Sequence, residues 1–130
     1  MKIEYIDNLK EFKNIEFEGF FVGWTKEIPK NFLQDILINS TYNAVAVLNK
    51  TKAIGFITAN SDKVVSAYIP LIEVLPEFQK QGIGKKLMEH ILKNLRDIYM
   101  IDLLCDDEIV DYYLKQGFQK SNGMFKRNYN

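Results

Sequence analysis

The clearest periodicity in the chain follows Gly82. Ile83, Leu87, Met88, Ile91, Leu92 and Leu95 recur at i, i+4, i+5, i+8, i+9 and i+12, which places them on one helical face. A second helical stripe, Phe32, Leu33, Ile36 and Leu37, follows Pro29 and predicts a helix over 29–38. Elsewhere the apolar residues gather in short runs separated by polar turns, as strands do. These runs predict strands over 2–6, 41–48, 53–59, 64–75, 99–105 and 124–129, with the polar turns 49–52 and 60–63 making hairpins of the middle three. Residues 107–115 read as a short last helix. The predicted order is β, α, β, β, β, α, β, α, β. Two βα units after three hairpin-linked strands imply an α/β sheet with antiparallel and parallel parts.

One stretch fits neither rhythm. Residues 16–28 carry Phe17, Phe20, Phe21 and Trp24 among Gly19 and Gly23, a loop too aromatic to lie on a surface without burying against something.

The length of 130 residues suits one domain over 1–130, and its even composition shows no linker. Lys and Arg total 17, and so do Asp and Glu, so the basic excess of a nucleic-acid binder is missing. The single cysteine, Cys105, excludes an internal disulfide, and one histidine, His90, excludes a His-rich metal site. No metal is expected. Neither an apolar signal core nor a long apolar span occurs, which gives the expectation of a cytoplasmic protein without membrane contact.

The chemistry concentrates at Gln79-Lys80-Gln81-Gly82-Ile83-Gly84, between a predicted strand and the strongest helix. Glycines let a tight loop bring backbone N–H groups close to a phosphate. A helix start adds unsatisfied donors and a positive dipole end. Lys80, Lys85 and Lys86 add charge. Two other phosphate loops are excluded. The dinucleotide fingerprint needs a third glycine where Leu87 stands, and a Walker A loop needs glycine at Gln79 and Ser or Thr at Lys86.

The run from Val74 to Met88 resembles the acetyl-CoA-binding motif of the GNAT superfamily of N-acetyltransferases. Tyr112-Tyr113-Leu114-Lys115-Gln116-Gly117-Phe118 resembles the aromatic-Tyr-x-x-x-Gly-Phe signature near the end of those domains. Gly23-Trp24, Asn60-Ser61-Asp62, Ile109-Val110-Asp111-Tyr112-Tyr113 and Gly123-Met124-Phe125 are similar to a GNAT subgroup that includes plant chloroplast enzymes acting on serotonin and on protein amines. The resemblance implies a mixed, centrally splayed β-sheet flanked by helices. It further implies transfer of acetyl from acetyl-CoA to a primary amine of a small molecule or peptide.

Residue roles follow from that resemblance. Gln79, Lys80, Gln81, Gly82, Ile83, Gly84 and Lys85 would hold the pyrophosphate. The backbone of Ile72, Glu73 and Val74 would pair with the pantetheine arm as a strand does, and Asp106 stands where relatives often carry a cofactor-contacting Asn. Tyr113 matches the general acid that protonates the departing thiolate. A phenol with pKa about 10 must be helped by positioning to protonate a thiolate whose acid has pKa about 8.5. Ile72, Val74 and Tyr113 also read as ordinary core, the glycine loop as a tightened helix entry without ligand, and Glu73 and Asp106 as surface or structural carboxylates.

The base is not evident. Relatives often project a Glu or His from the positions of Tyr68 and Pro70, and neither residue here can serve in that way. Glu73 is the candidate on the same strand, although simple alternation points it away from Tyr68; a bulge would reverse that, and either Glu73 or Asp106 could feed a water chain. Phe21, Trp24 and Tyr68 are the candidate acceptor contacts. His90 reads as structural, and Cys105, placed at a buried strand end, reads as packing. The rival reading is a non-catalytic acyl-CoA sensor or interaction domain, kept open by the missing base at 68 and 70. The expected partners are acetyl-CoA and an amine acceptor, with a homodimer as an open oligomeric state.

Overall fold

The computed structural model describes residues 1–128. Its elements in chain order are β1 (Ile3–Asp7), α1 (Phe32–Asn39), β2 (Tyr42–Leu48), β3 (Lys52–Ser61), β4 (Ser66–Val74), α2 (Ile83–Asn94), β5 (Met100–Asp102) and α3 (Val110–Leu114). The strands form one sheet in sequence order. The first three pairings are antiparallel, and β4 with β5 is parallel. This is the mixed α/β sheet that the sequence pattern predicts.

Each face of the sheet carries its own core, which is why β2 and β3 are near-continuous apolar runs and not alternating ones. On one face Ile54, Ile57, Ala67 and Ile69 pack against Leu87, Met88, Ile91 and Leu95 of α2 and against Tyr113 of α3. On the other, Val45, Val47, Ala53 and Phe56 pack against Leu33 and Leu37 of α1 and against Phe21. Asn43, fully buried, ties β2 to α1 and to the loop after β1. Its amide donates to the carbonyls of Leu9 and Leu37 at 3.1 and 3.2 Å, and its oxygen accepts from the Leu9 N–H at 2.9 Å. Every polar edge of the side chain is thereby used, as burial demands.

Two bulges tune the strands. Ala46 opposes Gly55 and Val47 opposes Ala53, which leaves Ile54 as an extra residue in β3. In β4, Thr58 opposes Leu71 and Asn60 opposes Tyr68, so Ile69 and Pro70 together face Ala59. An extra residue shifts side-chain parity. Ala67 and Ile69 point to α2, yet beyond the bulge Ile72 and Val74 point there too. Tyr68 and Glu73 therefore share the α1 face, the case in which the bulge overrides simple alternation.

Three expectations are corrected. The strand over 99–105 is reduced to three residues, because β4 offers register partners only at Ser66, Ala67 and Tyr68. Pro70 then has no N–H with which to extend the ladder. The closing strand over 124–129 is absent over 124–128, where Met124 and Phe125 are exposed, since so short a β5 leaves little edge to pair with; Tyr129 lies outside the described residues. The helix expected from 29 begins at Phe32, after a turn in which the Phe32 N–H bonds the Pro29 carbonyl and Asn31 adopts φ 61°.

Candidate active site

Past Tyr68 and Asp102 the strands β4 and β5 part. The gap is a cleft of about 230 Å³ lined by Ile69 to Ile72 on one side and by Leu103, Leu104, Cys105 and Asp106 on the other, with Ile109 and Tyr113 closing it. Each β-strand turns every second peptide toward its neighbour, so the β4 edge here presents backbone groups that β5 does not meet. An extended ligand could pair with them.

Tyr113 enters this cleft from the α2 side. Only 7% of the residue is exposed, and its ring packs edge-on to Tyr112 and Phe118 at 5.2 and 5.8 Å. Among the described residues its hydroxyl has no hydrogen-bond partner. Burial, with smaller contributions from Tyr112 and Cys105, pushes its pKa up to about 12. A phenol this weak does not ionise at neutral pH, so it always has a hydrogen to offer. Complete transfer to a thiolate of pKa about 8.5 is uphill by roughly 5 kcal/mol from this ground state, so the hydroxyl would act by hydrogen-bonding sulfur as charge develops there.

Tyr112, next in the chain, reaches the start of α2. A Cβ placed on Gly84 would lie 3.2 Å from the Tyr112 hydroxyl and 3.8 Å from Val74 Cγ2. The short helix α3 thus links the cleft to the glycine loop. In that loop Lys80 and Gly82 both have positive φ, 63° and 84°. Gly82 is the N-cap of α2 and no side chain caps it. The first helical bond runs from the Lys86 N–H to the Gly82 carbonyl at 3.1 Å, which leaves the N–H groups of Ile83, Gly84 and Lys85 at the open helix end. Gln79 braces the loop by donating from its side chain to the Val74 carbonyl at 2.9 Å. Lys80, Gln81 and Lys85 are exposed around it. This is an anion site in chemical terms.

The structure therefore brings Ile72, Asp106 and Tyr113 together in the cleft and sets Val74, Gln79 and Gly82 to Lys85 at its neighbouring helix start. Glu73 is elsewhere. It projects to the α1 face, where both carboxylate oxygens accept the Phe21 N–H at 2.9 Å and one also accepts the Val22 N–H at 3.4 Å. That carboxylate is a clasp on the aromatic loop. Phe21 itself, with φ 65°, buries its ring among Trp24, Phe32 and Phe56, so its side chain belongs to the core. Trp24 is half-exposed over Phe21 and Phe32, at 4.9 and 6.2 Å. Tyr68 lines a separate polar cavity with Thr41, Asn60, Ser61, Asp62, Ser66 and Asp102. His90 pairs with Asp7 at 2.9 Å and stacks on Tyr5, away from the cleft.

Sequence reasoning missed three neighbours of this site. Cys105 is exposed beyond the end of β5 and lines the cleft beside Tyr113, where a longer strand would have buried it. Tyr112 reads as half of an aromatic pair, and nothing local announces its reach to Gly84. Asp102 stands opposite Tyr68, a placement visible only once the parallel register of β4 and β5 is known. Among the described residues no group of His, Cys, Asp and Glu is arranged to hold a metal ion.

Comparison with known proteins agrees with this fold. A family model described as an acetyltransferase (GNAT) domain matches residues 10–129. The chain is 31% identical to the N-acetyltransferase ycf52 of Porphyra purpurea, itself uncharacterized, across 96% of this chain and 78% of that protein. It is 41% identical over 80 residues to the chloroplastic GCN5-related N-acetyltransferase 2 of Arabidopsis thaliana, covering 57% of this chain and 31% of that protein. A crystal structure from Deinococcus radiodurans R1 superposes with a TM-score of 0.88 at 34% identity, covering 96% of this chain and 87% of that one.

Proposed function

The chain belongs to the GNAT acetyltransferase domain family, and from that premise we propose that it moves acetyl from acetyl-CoA directly to a primary amine. The observation that carries the proposal is the cleft between β4 and β5, walled by a buried tyrosine whose hydroxyl has no partner among the described residues and adjoining an uncapped helix start. In this reading the pyrophosphate rests on the N–H groups of Ile83, Gly84 and Lys85, with Lys80 and Lys85 adding charge. The pantetheine arm lies along Ile72 and Val74, and Asp106 flanks the thioester end.

An uncharged amine nitrogen attacks the acetyl carbonyl, forming the C–N bond. A backbone N–H near Ile72 steadies the oxyanion. The C–S bond then breaks while the Tyr113 hydroxyl hydrogen-bonds the departing sulfur, and the proton shed by the new amide nitrogen passes to that thiolate to give the CoA thiol. No covalent enzyme intermediate forms. Because an alkylamine with pKa about 10.4 is mostly protonated at neutral pH, losing its first proton costs about 4–5 kcal/mol, and the site must make that step easy.

Two measurements test the proposal. Acetyl-CoA at a hundred times its Kd should stabilise the fold by about 2.7 kcal/mol, seen as a raised melting temperature. CoA should be released when amines are added. A melt unmoved by millimolar acetyl-CoA would overturn the cofactor assignment. The second reading, an acyl-CoA sensor without catalysis, is favoured by one observation: Glu73 is committed to the aromatic loop. Acetyl-CoA binding with no CoA release across a broad amine panel would select it.

A further inference from the structure

Asp102 is the last residue of β5 and the last to keep register with β4, where its partner is Tyr68. Register partners in a parallel pair project to the same face. Both side chains line one cavity of about 420 Å³, with Thr41, Asn60, Ser61 and Ser66. One residue further along each strand, Ile69 and Leu103 line the thioester cleft. The cavity and the cleft are therefore a single step apart.

Their faces are opposed in a useful way. Ala67 and Ile69 point to α2, so Tyr68 points to the other side of the sheet. Tyr113, buried and with its hydroxyl unpartnered among the described residues, reaches the cleft from the α2 side. An acyl carbonyl held between the strands would have its sulfur served from that side. Its other side opens toward Tyr68 and Asp102.

Besides Ala67 the cavity wall carries hydroxyls, one amide and two carboxylates, and its lining includes no basic residue. Asp62 is occupied. Its Oδ1 accepts the N–H groups of Val64, Val65 and Ser66 at 2.8, 2.9 and 3.2 Å, and these bonds hold its pKa below the usual carboxylate value. It contributes fixed negative charge. Asp102, among the described residues, makes neither a hydrogen bond nor an ion pair, and it stands exposed at the cavity wall where an incoming group can reach it.

We propose that Asp102 receives the ammonium group of the acceptor, beside the Tyr68 hydroxyl, and so selects amines that are cationic in solution. This rests on the acetyl-transfer reading and names its acceptor class: a protonated primary alkylamine. The bound ammonium passes one proton to a water molecule between Asp102 and Tyr68 and thence to solvent. The nitrogen lone pair so released attacks the carbonyl from the open side. Asp102 is a catalytic residue in this scheme because it touches the substrate nitrogen.

The test compares phenethylamine with its β,β-difluoro analogue, whose fluorines leave the amine largely uncharged at about pH 8. Asp102→Asn should lower kcat/KM for phenethylamine by about 30-fold and for the difluoro analogue by less than about threefold, with the KM for acetyl-CoA unchanged. Asp102→Glu should restore part of the loss. Equal losses for both amines, or no loss for either, would overturn the assignment. A binding arm separates this proposal from the transferase reading. Phenethylamine should bind the CoA-loaded parent, and at least about tenfold more weakly the CoA-loaded Asp102→Asn variant. If it does so but no amine releases CoA, Asp102 stands and acetyl transfer falls. If the parent transfers acetyl and the variant is indistinguishable, Asp102 falls and acetyl transfer stands. A parent that neither binds nor acetylates phenethylamine overturns the Asp102 assignment, while acetyl transfer is judged by the broad amine panel.

Discussion

Replacing Glu73 with alanine separates a clasp from a base. Phe21 is held at φ 65°, a left-handed conformation that costs a residue with a Cβ about 1–2 kcal/mol. What compensates is the Glu73 carboxylate, which takes the Phe21 N–H on both oxygens at 2.9 Å and the Val22 N–H at 3.4 Å. Hydrogen bonds to a charged group contribute about 1.5–3 kcal/mol each, and the half-buried setting puts this clasp near the lower end. Glu73→Ala should thus cost about 2 kcal/mol, or roughly 6–10 °C in Tm for a domain of this size, and Glu73→Gln, which keeps one acceptor, about half as much. The assay is urea unfolding followed by tryptophan emission. Trp24 is the sole tryptophan and its ring lies 4.9 Å from Phe21, so loosening of the loop should shift its emission before the sheet unfolds. Acetyl-CoA affinity should change little. A variant with parental stability and emission would show that the carboxylate does not hold the loop. If that variant also lost turnover only with protonated amines, Glu73 would return to the role of base.

Other substitutions read the cofactor side. Gly82 sits at φ 84° with open space around its missing Cβ, so Gly82→Val should cost only the backbone strain of about 1–2 kcal/mol yet abolish the thermal shift given by acetyl-CoA. Gly84→Ala adds a favourable helix former but sets a methyl 3.2 Å from the Tyr112 hydroxyl. The variant should melt no lower than the parent and bind acetyl-CoA more weakly, by calorimetry. Tyr113→Phe should lower turnover under chemistry-limited conditions while leaving acetyl-CoA affinity nearly unchanged. Because the folded pKa of Tyr113 is raised to about 12, its contribution to stability is complete below pH 10 and is lost as pH rises toward 12. That should appear as a fall of about 2–3 kcal/mol in urea-unfolding stability across this window, with Tyr113, and Tyr5 whose pKa burial also raises, ionising late in the ultraviolet spectrum. A stability flat from pH 10 to 12 would remove the buried phenol from the account.

How much of this was legible in the chain depends on how far apart the cooperating residues lie. The α2 stripe is a local periodicity, and the structure returns it as the face of Ile83, Leu87, Met88 and Ile91 packed on the sheet. The middle strands were legible for the same reason, to within a residue or two at most ends. The failures were at sheet edges. Residues 99–105 are apolar enough for a strand and 124–128 open on Met124-Phe125, but a strand also needs a partner, and Pro70 with its bulge removes the partner from β5 after Asp102. The glycine loop was legible because its donors are contiguous.

The acceptor side was hidden because its parts are joined only by register. Glu73 and Tyr68 are separated by an odd number of positions, so alternation sets them on opposite faces. A single extra residue at Ile69–Pro70 reverses this. The same residue decides three things at once. It sends Glu73 to the aromatic loop, it ends the pairing with β5 so that a cleft opens, and it leaves Tyr68 and Asp102 as the last matched pair before the gap. Pro70 thus occupies a position where relatives often place a base and contributes geometry instead of a proton acceptor. In the proposed reaction the carboxylate that serves the amine comes from the last strand residue still in register at the mouth of the cleft, Asp102 of β5.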